Sequence, residues 1–233
     1  RGDVYHSSDN LLTDTISYAG DPGWKARGIA AAAVDMRWPF MGEAFGGVQR
    51  IAPRVQIVAS PHLANLSVPN EDARSVDLED SNLFALNRFA GYDRFEDSSR
   101  ITYGLEYNLA LPDFTLDANV GQSYRLDNRA SILPDGTGLS DRMSDIVGRW
   151  TIRYKDFVSF TQRFRVDKDN LAVRRNEVDA TVGSKKTYAQ ISYLRLNRNA
   201  NITLEDLQDR EELRVAGRVR FARYWSVFGA AVV

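Results

Sequence analysis

Apolar and polar residues alternate with a period of two through most of the chain from residue 100 onward. In residues 100–109, Ile101, Tyr103 and Leu105 fall on one side, whereas Arg100 and Glu106 fall on the other. Because successive side chains of a β-strand point to opposite faces, this pattern predicts antiparallel strands with one apolar and one polar face. About ten strands are predicted in all, at 27–38, 49–60, 100–109, 114–125, 145–154, 157–167, 174–183, 188–197, 212–221 and 224–233.

The predicted connections alternate in length. Short turns lie near residues 111–113, 155–156, 185 and 222, and longer links span 61–99, 126–141, 168–173 and 198–210. Strands of roughly 9–11 residues joined in this way are typical of an outer-membrane barrel, with short periplasmic turns and longer external loops. Aromatic residues gather beside the short turns, as expected at a membrane interface: Trp38, Phe40, Phe114, Tyr154, Phe157, Tyr188, Phe221, Tyr224 and Trp225.

A soluble antiparallel sheet gives the same alternation and remains the competing interpretation. Three features favour the membrane: the strand length, the alternation of loop lengths, and the lack of a predicted helix to cover the apolar face. We therefore predict an all-β fold, an antiparallel transmembrane β-barrel of which this chain is a part. The whole chain, 1–233, is expected to be a single domain and a fragment of a larger barrel.

Composition excludes several functions. The net charge of −1 argues against a general nucleic-acid binder, and the absence of cysteine excludes a disulfide framework or a thiolate metal site. The only histidines, His6 and His62, are far apart in sequence. No nucleophile and base are paired by the pattern, so we predict no enzyme, no metal and no cofactor. The acidic segments 69–80 and 204–209 are predicted to be solvated loop charge.

The polar face of the predicted sheet is rich in arginine. Guanidinium groups suit phosphate and carboxylate ligands, so the set favours passage of an anionic amphiphile. For any single arginine, pairing with a charge on a neighbouring strand is the simpler interpretation. The side chains predicted to face the lumen are Arg100, Glu106, Arg125, Arg149, Arg153, Arg163, Arg165, Arg214, Arg218 and Arg220.

One irregular stretch, residues 68–107, resembles the C-terminal barrel domain of the LptD family of lipopolysaccharide-assembly proteins. The stretch has an N-L-F…N-R-F-x-G-x-D-R block, then acidic residues and a strand with a tyrosine–glycine pair. Upstream, residues 52–61 resemble the family's strand with an early proline. The residues of the block are Asn82, Leu83, Phe84, Asn87, Arg88, Phe89, Gly91, Asp93 and Arg94, followed by Glu96, Asp97, Tyr103 and Gly104.

The resemblance implies an outer-membrane component of the lipopolysaccharide transport machine, located in the bacterial outer membrane. Such a barrel inserts lipopolysaccharide into the outer leaflet through its lumen and a lateral opening. Its implied partners are lipopolysaccharide, an LptE-like plug lipoprotein, outer-membrane lipids and a periplasmic bridge protein. The bridge would be reached through a periplasmic N-terminal domain that is expected to be absent from this chain. Another outer-membrane barrel, such as a porin or passive channel, is the alternative.

The stretch 82–97 is predicted to be a folded connection that shapes or closes the external mouth of the barrel. Phe84 and Phe89 are expected to pack into the barrel mouth or wall, and Gly91 to permit a tight turn. Whether this connection contacts substrate or is purely structural is left open. The expected partners of Arg88 and Arg94 are Asp93, Glu96 and Asp97.

Overall fold

The computed structural model describes residues 1–8, 20–63, 65–73, 76–129, 131–198 and 209–233. In those ranges the chain is all-β apart from one 3-10 helix, Asn65–Ser67, and no helix is long and apolar enough to cross a bilayer. The strands are β1 Gly2–Ser7, β2 Gly23–Gly28, β3 Ala32–Arg37, β4 Phe40–Ala44, β5 Gly47–Ala59, β6 Arg100–Ala110, β7 Phe114–Arg125, β8 Ile146–Tyr154, β9 Val158–Val166, β10 Val173–Ser184, β11 Thr187–Leu196, β12 Arg210–Arg220 and β13 Ser226–Val232.

Strands β3 to β13 form one antiparallel sheet in which each strand from β5 onward pairs with the next in sequence. β3 and β4 both pair with β5 and act as one interrupted strand, so the sheet has ten positions. This confirms the predicted all-β fold and its approximate strand number. In the described part of the chain the sheet is open, with β13 at one edge and β3 with β4 at the other.

The prediction of a single strand at 27–38 was wrong. β2 ends at Gly28 and pairs with β1 in a separate hairpin, and the sheet begins only at Ala32. The first sheet strand is then interrupted at Trp38 and Pro39, because a proline has no N–H to donate to the ladder. The Trp38 N–H still donates to the carbonyl of Pro53, at 3.0 Å, and pairing resumes at Phe40.

The connections divide between the two ends of the sheet as the sequence predicts. Short turns follow β4, β6, β8, β10 and β12 at one end, which we call the short-turn rim. Long connections follow β5, β7, β9 and β11 at the other end. Because Ala32 pairs with Ala59 at the end of β5, the β1–β2 hairpin enters the sheet from the long-connection end.

The two faces of the sheet differ in what covers them. One face exposes apolar side chains such as Leu105, Val120, Ile191, Leu213 and Val215, each more than 40% exposed. A soluble sheet would bury that face, whereas a barrel wall presents it to lipid. On the opposite face, Val147 of β8 packs against the connections that follow β5 and β7. That buried core consists of Ala73, Val76, Leu78, Leu83, Phe89, Leu133, Leu139 and Val147.

Candidate functional site

All ten residues that were predicted to face a lumen lie on one face of the sheet, which we call the arginine face. Directly opposed residues of antiparallel strands share a face, and the register links the strands one after another. Arg100 opposes Arg125, and Arg149 opposes Arg163. Arg214 opposes Ser192 of β11, which opposes Asp179 of β10 and through it Thr161 of β9, on the same face as Arg163. The apolar face is therefore the other one. The arginine face also carries Arg54 and Arg175, which the sequence analysis did not single out.

The connection between β5 and β6, residues 60–99, packs directly on the arginine face. Leu83 and Phe89 are 3% and 5% exposed and belong to the same buried core as Val147 of β8. A Cβ atom at Gly121 of β7 would lie only 2.6 Å from Leu83 Cδ2, so glycine lets the connection approach the wall closely. The Arg54 guanidinium lies 4.1 Å from the centre of the Phe84 ring. Residues 82–97 therefore form a folded part of this wall.

The acidic segment 69–80 was predicted to be solvated, and this was wrong. Asp77 lies between Arg165, an ion-pair partner, and Arg175, whose Nη1 atom is 3.0 Å from Asp77 Oδ2. Arg165 also donates to the carbonyls of Gly136 and Thr137, at 2.8 and 2.5 Å. A buried carboxylate is stable only when it is paired and hydrogen-bonded, and the arginine face supplies those partners. The other acidic segment, 204–209, lies outside the described residues except at its last position.

Two further carboxylates extend this contact across three strands. Glu79 lies 3.1 Å from Arg175 Nη2 on β10. The buried Asp80 carboxylate lies 3.5 Å from Arg149 Nε on β8 and 3.9 Å from Arg163 Nε on β9. Asp77, Glu79 and Asp80 thus neutralise the middle of the arginine face with charge from a connection. Residues far apart in sequence make these pairs, so no local spacing could indicate them.

A second buried ionic cluster joins the family-like block to β6 and β7. The Arg88 Nε atom lies 3.1 Å from Glu96 Oε2, and Arg100 Nη1 lies 3.6 Å from the same oxygen. Arg88 also donates to Ser123 Oγ at 2.9 Å, and Arg100 donates to the carbonyl of Ala85 at 2.6 Å. Burial lowers the pKa of Arg88 to about 10 even though Glu96 opposes the shift. Arg88 therefore remains charged near neutral pH, and Glu96 is its counter-ion.

Two asparagines of the block hold its backbone in shape. Asn82 Oδ1 accepts from the Glu79 N–H at 2.9 Å, and Asn82 Nδ2 donates to the carbonyl of Asp77 at 2.7 Å. Asn87 Oδ1 accepts from the Glu96 N–H at 3.0 Å, while Asn87 Nδ2 donates to the carbonyl of Arg94 at 3.2 Å. Asparagine can bond its own neighbouring backbone in this way, which explains how an irregular segment keeps one conformation.

Asp72 and Asp93 clamp two parts of the connection together. The Asp72 carboxylate accepts from the N–H groups of Tyr92 and Asp93, at 2.8 and 3.0 Å. Asp93 returns the contact by accepting from the N–H groups of Glu71 and Asp72. Burial raises the pKa of Asp72, but the backbone N–H donors outweigh it and hold the pKa below its ordinary value. The clamp therefore favours the ionised carboxylate.

The clamp requires glycine at position 91 because it leaves no space there for a side chain. A Cβ atom there would lie 2.2 Å from Asp72 Oδ1 and 2.5 Å from the Asp72 carbonyl oxygen. Its φ is outside the left-handed region that only glycine adopts easily, so a tight turn is not the reason for glycine at this position. The position is fixed by the close approach of two chain segments.

Arg94 bonds within the connection, and Arg27 joins the connection to the β1–β2 hairpin. Arg94 is fully buried and donates to the carbonyl of Val68 at 2.7 Å. Burial lowers its pKa to about 10, helped by the nearby charge of Arg27. Arg27, on β2, donates to the carbonyls of Tyr92 and Asp93, at 2.6 and 2.7 Å. The hairpin is thereby fastened to the family-like block, a contact that the sequence pattern did not indicate.

The remaining charges of the arginine face are not equivalent. Glu106 pairs with Arg37 and lies 3.6 Å from Arg50, and Arg153 pairs with Asp117 at 3.0 Å. Arg125 donates to the carbonyl of Ser140 at 3.4 Å. In contrast, the arginines of β12 that were predicted to face the lumen have no carboxylate partner within the described ranges. These three are Arg214, Arg218 and Arg220.

The fold and the site define a class of protein. Antiparallel strands with an exposed apolar outer face, an aromatic rim, and a polar inner face on which a connection packs are features of an outer-membrane β-barrel. The chain belongs to the LptD family, because the family model described as LPS transport system D matches residues 1–225. The resemblance predicted from the sequence is confirmed.

Several individual relatives carry the name LPS-assembly protein LptD. The chain is 31% identical over 103 residues to the protein of Albidiferax ferrireducens, which is 42% of this chain and 13% of that protein. It is 27% identical over 156 residues to the protein of Coxiella burnetii, 65% of this chain and 18% of that protein. The match to the Acinetobacter baylyi protein is 34% over 84 residues, 35% of this chain and 10% of that protein. The aligned region thus covers less than a fifth of each relative's length.

Proposed function

We propose that residues 1–233 are one piece of the C-terminal barrel domain of an outer-membrane protein that inserts lipopolysaccharide into the outer leaflet. The observation that carries this proposal is the β5–β6 connection. Its residues include the family-like block, and buried ion pairs hold it on the arginine face. We infer that a connection fixed in this way shapes the lumen through which the substrate would pass.

The arrangement of polar and apolar surfaces suits an anionic amphiphile. The arginine face provides a hydrated, charged surface along which a sugar and phosphate headgroup can move. The apolar face meets lipid. The folded connection packs on the arginine face from the long-connection end, which in this class faces the cell exterior. We infer that it narrows the external mouth and that lipopolysaccharide in the lumen leaves sideways, through a lateral opening in the wall.

The proposed partners follow from this role. An LptE-like lipoprotein would occupy the lumen beside the arginine face, and a periplasmic bridge protein would deliver lipopolysaccharide through a domain outside this chain. The apolar face would contact outer-membrane lipids. We propose that the protein acts as a transport component without covalent chemistry of its own. The work of transport must be supplied by another component of the machine.

The test uses the full-length protein in living cells. A photo-crosslinking amino acid replaces Arg163 or Arg218 on the arginine face, and Tyr103 or Ile152 on the apolar face serves as the control. We expect lipopolysaccharide adducts at the first two positions and far fewer at the controls. Equal labelling of both faces, or no labelling at the arginine face in a barrel that still assembles, would contradict the proposal.

A conductance measurement distinguishes the proposed transport component from a passive channel. In planar bilayers an open porin passes ions steadily, whereas a barrel obstructed by its own connection and by a lipoprotein should pass few. A large and stable conductance of the assembled complex, together with no lipopolysaccharide adducts, would favour the porin alternative.

A further inference from the structure

Five cations converge at the short-turn rim where β10 to β13 end. Lys185 and Lys186 belong to the turn between β10 and β11, and Arg218, Arg220 and Arg223 belong to β12 or to the turn that follows it. The register brings the two turns side by side, because Tyr188 pairs with Arg218. Together with Tyr224, Trp225 and Ser226, these residues line one concave pocket, which we call the rim pocket.

None of the described residues that line the rim pocket is acidic. Residues 180–198 and 213–233 contain neither aspartate nor glutamate. Within the described part of the chain none of the five cations forms an ion pair. Arg218 donates to Ser226 Oγ at 3.1 Å, and Arg220 donates to the carbonyl of Ala222 at 3.0 Å. Each guanidinium has five N–H donors, so both keep donors for a ligand.

This surplus of positive charge at the rim pocket contrasts with the balanced charge in the middle of the arginine face. There, Arg149, Arg163 and Arg165 are neutralised by carboxylates of the β5–β6 connection. Like charges that crowd together without a counter-ion repel one another, so a cluster of five unpaired cations favours binding of an anion. The guanidinium fork is well matched to phosphate, which can accept several charge-assisted hydrogen bonds at once.

Two aromatic side chains indicate that the anion belongs to a molecule that also has an apolar part. Tyr224 and Trp225 are 83% and 69% exposed, and the Arg223 guanidinium carbon lies 5.4 Å from the centre of the Tyr224 ring. Exposed tyrosine and tryptophan at the rim of a barrel lie at the level of the lipid headgroups. A ligand in the rim pocket can therefore place its phosphate among the cations and its apolar part beside these rings.

We propose that the rim pocket binds the phosphate of a lipid headgroup at the periplasmic side of the membrane. Two sources share this chemistry: a phospholipid of the surrounding leaflet, and the phosphorylated glycolipid that the proposed transport would deliver. The site does not depend on that transport, since it would exist in any outer-membrane barrel with this rim.

The test is a calorimetric titration of the full-length protein, in non-ionic detergent, with dihexanoylphosphatidylglycerol. The test variant is Lys185→Gln/Lys186→Gln, which leaves the strands intact. Each lysine near an anionic lipid headgroup surface contributes roughly fivefold in affinity. We therefore expect the double variant to bind the lipid roughly 25-fold more weakly. The matched control is Lys155→Gln in the turn between β8 and β9. Its ammonium lies 3.5 Å from Asp113, so we expect a change of less than about twofold.

Two competitors identify the source. Displacement of the short-chain lipid by lipopolysaccharide would support the site with the glycolipid as its ligand, and lack of displacement would support it with a membrane phospholipid. Inorganic phosphate that binds as tightly as the lipid would overturn the assignment to a lipid headgroup. So would equal lipid affinity of the wild type and the double variant, or binding of a hexaglutamate peptide with no binding of the lipid.

Discussion

Glu96 is shared by two buried arginines, Arg88 and Arg100, and neutralising it tests how the connection is held. The side chains of Arg88 and Arg100 are 1% exposed and that of Glu96 is 6% exposed. The two nitrogen–oxygen distances are 3.1 and 3.6 Å. The substitution Glu96→Gln keeps the size of the side chain but leaves both guanidinium charges without a counter-ion.

The free-energy cost of Glu96→Gln follows from these nitrogen–oxygen distances. At an effective dielectric constant of about 20, each attraction amounts to roughly 5 kcal/mol. Part of that loss is offset, because glutamine no longer carries the desolvation penalty of a buried carboxylate, which is several kcal/mol. Removing one partner of a buried ion pair typically costs a net 3–5 kcal/mol, and we expect about that here. Local opening of the connection would then become roughly two hundred to several thousand times more populated.

Hydrogen exchange of the full-length protein in detergent measures this opening. Amides in residues 82–97 should exchange faster in Glu96→Gln by about that factor, since exchange follows local opening. The matched control is Glu106→Gln. Glu106 is a half-exposed partner of Arg37 and Arg50 on the same face, and such pairs contribute about 0–1 kcal/mol. If exchange in residues 82–97 is the same in both variants as in the wild type, the shared glutamate does not hold the connection.

Two further predictions concern the clamp between Asp72 and the family-like block. Gly91→Ala should cost about 1–3 kcal/mol by overpacking and reduce the fraction of heat-resistant folded barrel. Gly217→Ala, whose Cβ would meet nothing nearer than 3.5 Å, should leave that fraction unchanged, and equal behaviour of the two variants would refute the close-approach argument. The pKa of Asp72 is depressed, so its stabilisation is present above the ordinary value of about 3.9 and is lost as the pH falls through the folded-state pKa. Protection of residues 91–93 from hydrogen exchange should therefore fall below about pH 4 in the wild type, and Asp72→Asn should lack that pH-dependent component. An identical pH profile in the two proteins would contradict the prediction.

The strands and their faces were predictable because their signal is local. A period of two is repeated within each strand, and it correctly separated Tyr103 and Leu105 from Arg100 and Glu106. Loop lengths could be read because short turns separate adjacent periodic segments. The exception was the start of the sheet. There, the β1–β2 hairpin is made of two strands of only six residues each, and Pro39 divides the first sheet strand.

The contacts of the connection were harder to predict because they are not local. Arg175 and Asp77 are 98 residues apart, and no spacing rule joins them. The same holds for Arg27 and the carbonyls of Tyr92 and Asp93. Only the aromatic and arginine content of residues 82–97 indicated that this segment folds on the wall.

Charge balance is the sequence signal that could have indicated the contact between the connection and the arginine face. The arginine face carries a large excess of cations, yet the whole chain has a net charge of −1, so the compensating carboxylates must lie elsewhere. Five of them lie in residues 69–80, in a connection long enough to fold back over the wall. Since isolated charges are costly to bury, an acidic connection beside a cationic sheet face is more stable packed against it than in water only if the two pair. The same reasoning distinguishes the two parts of the face. Where the connection reaches, the arginines are neutralised, and at the rim of β10 to β13, beyond its reach, the cations remain available for an anion from outside the chain.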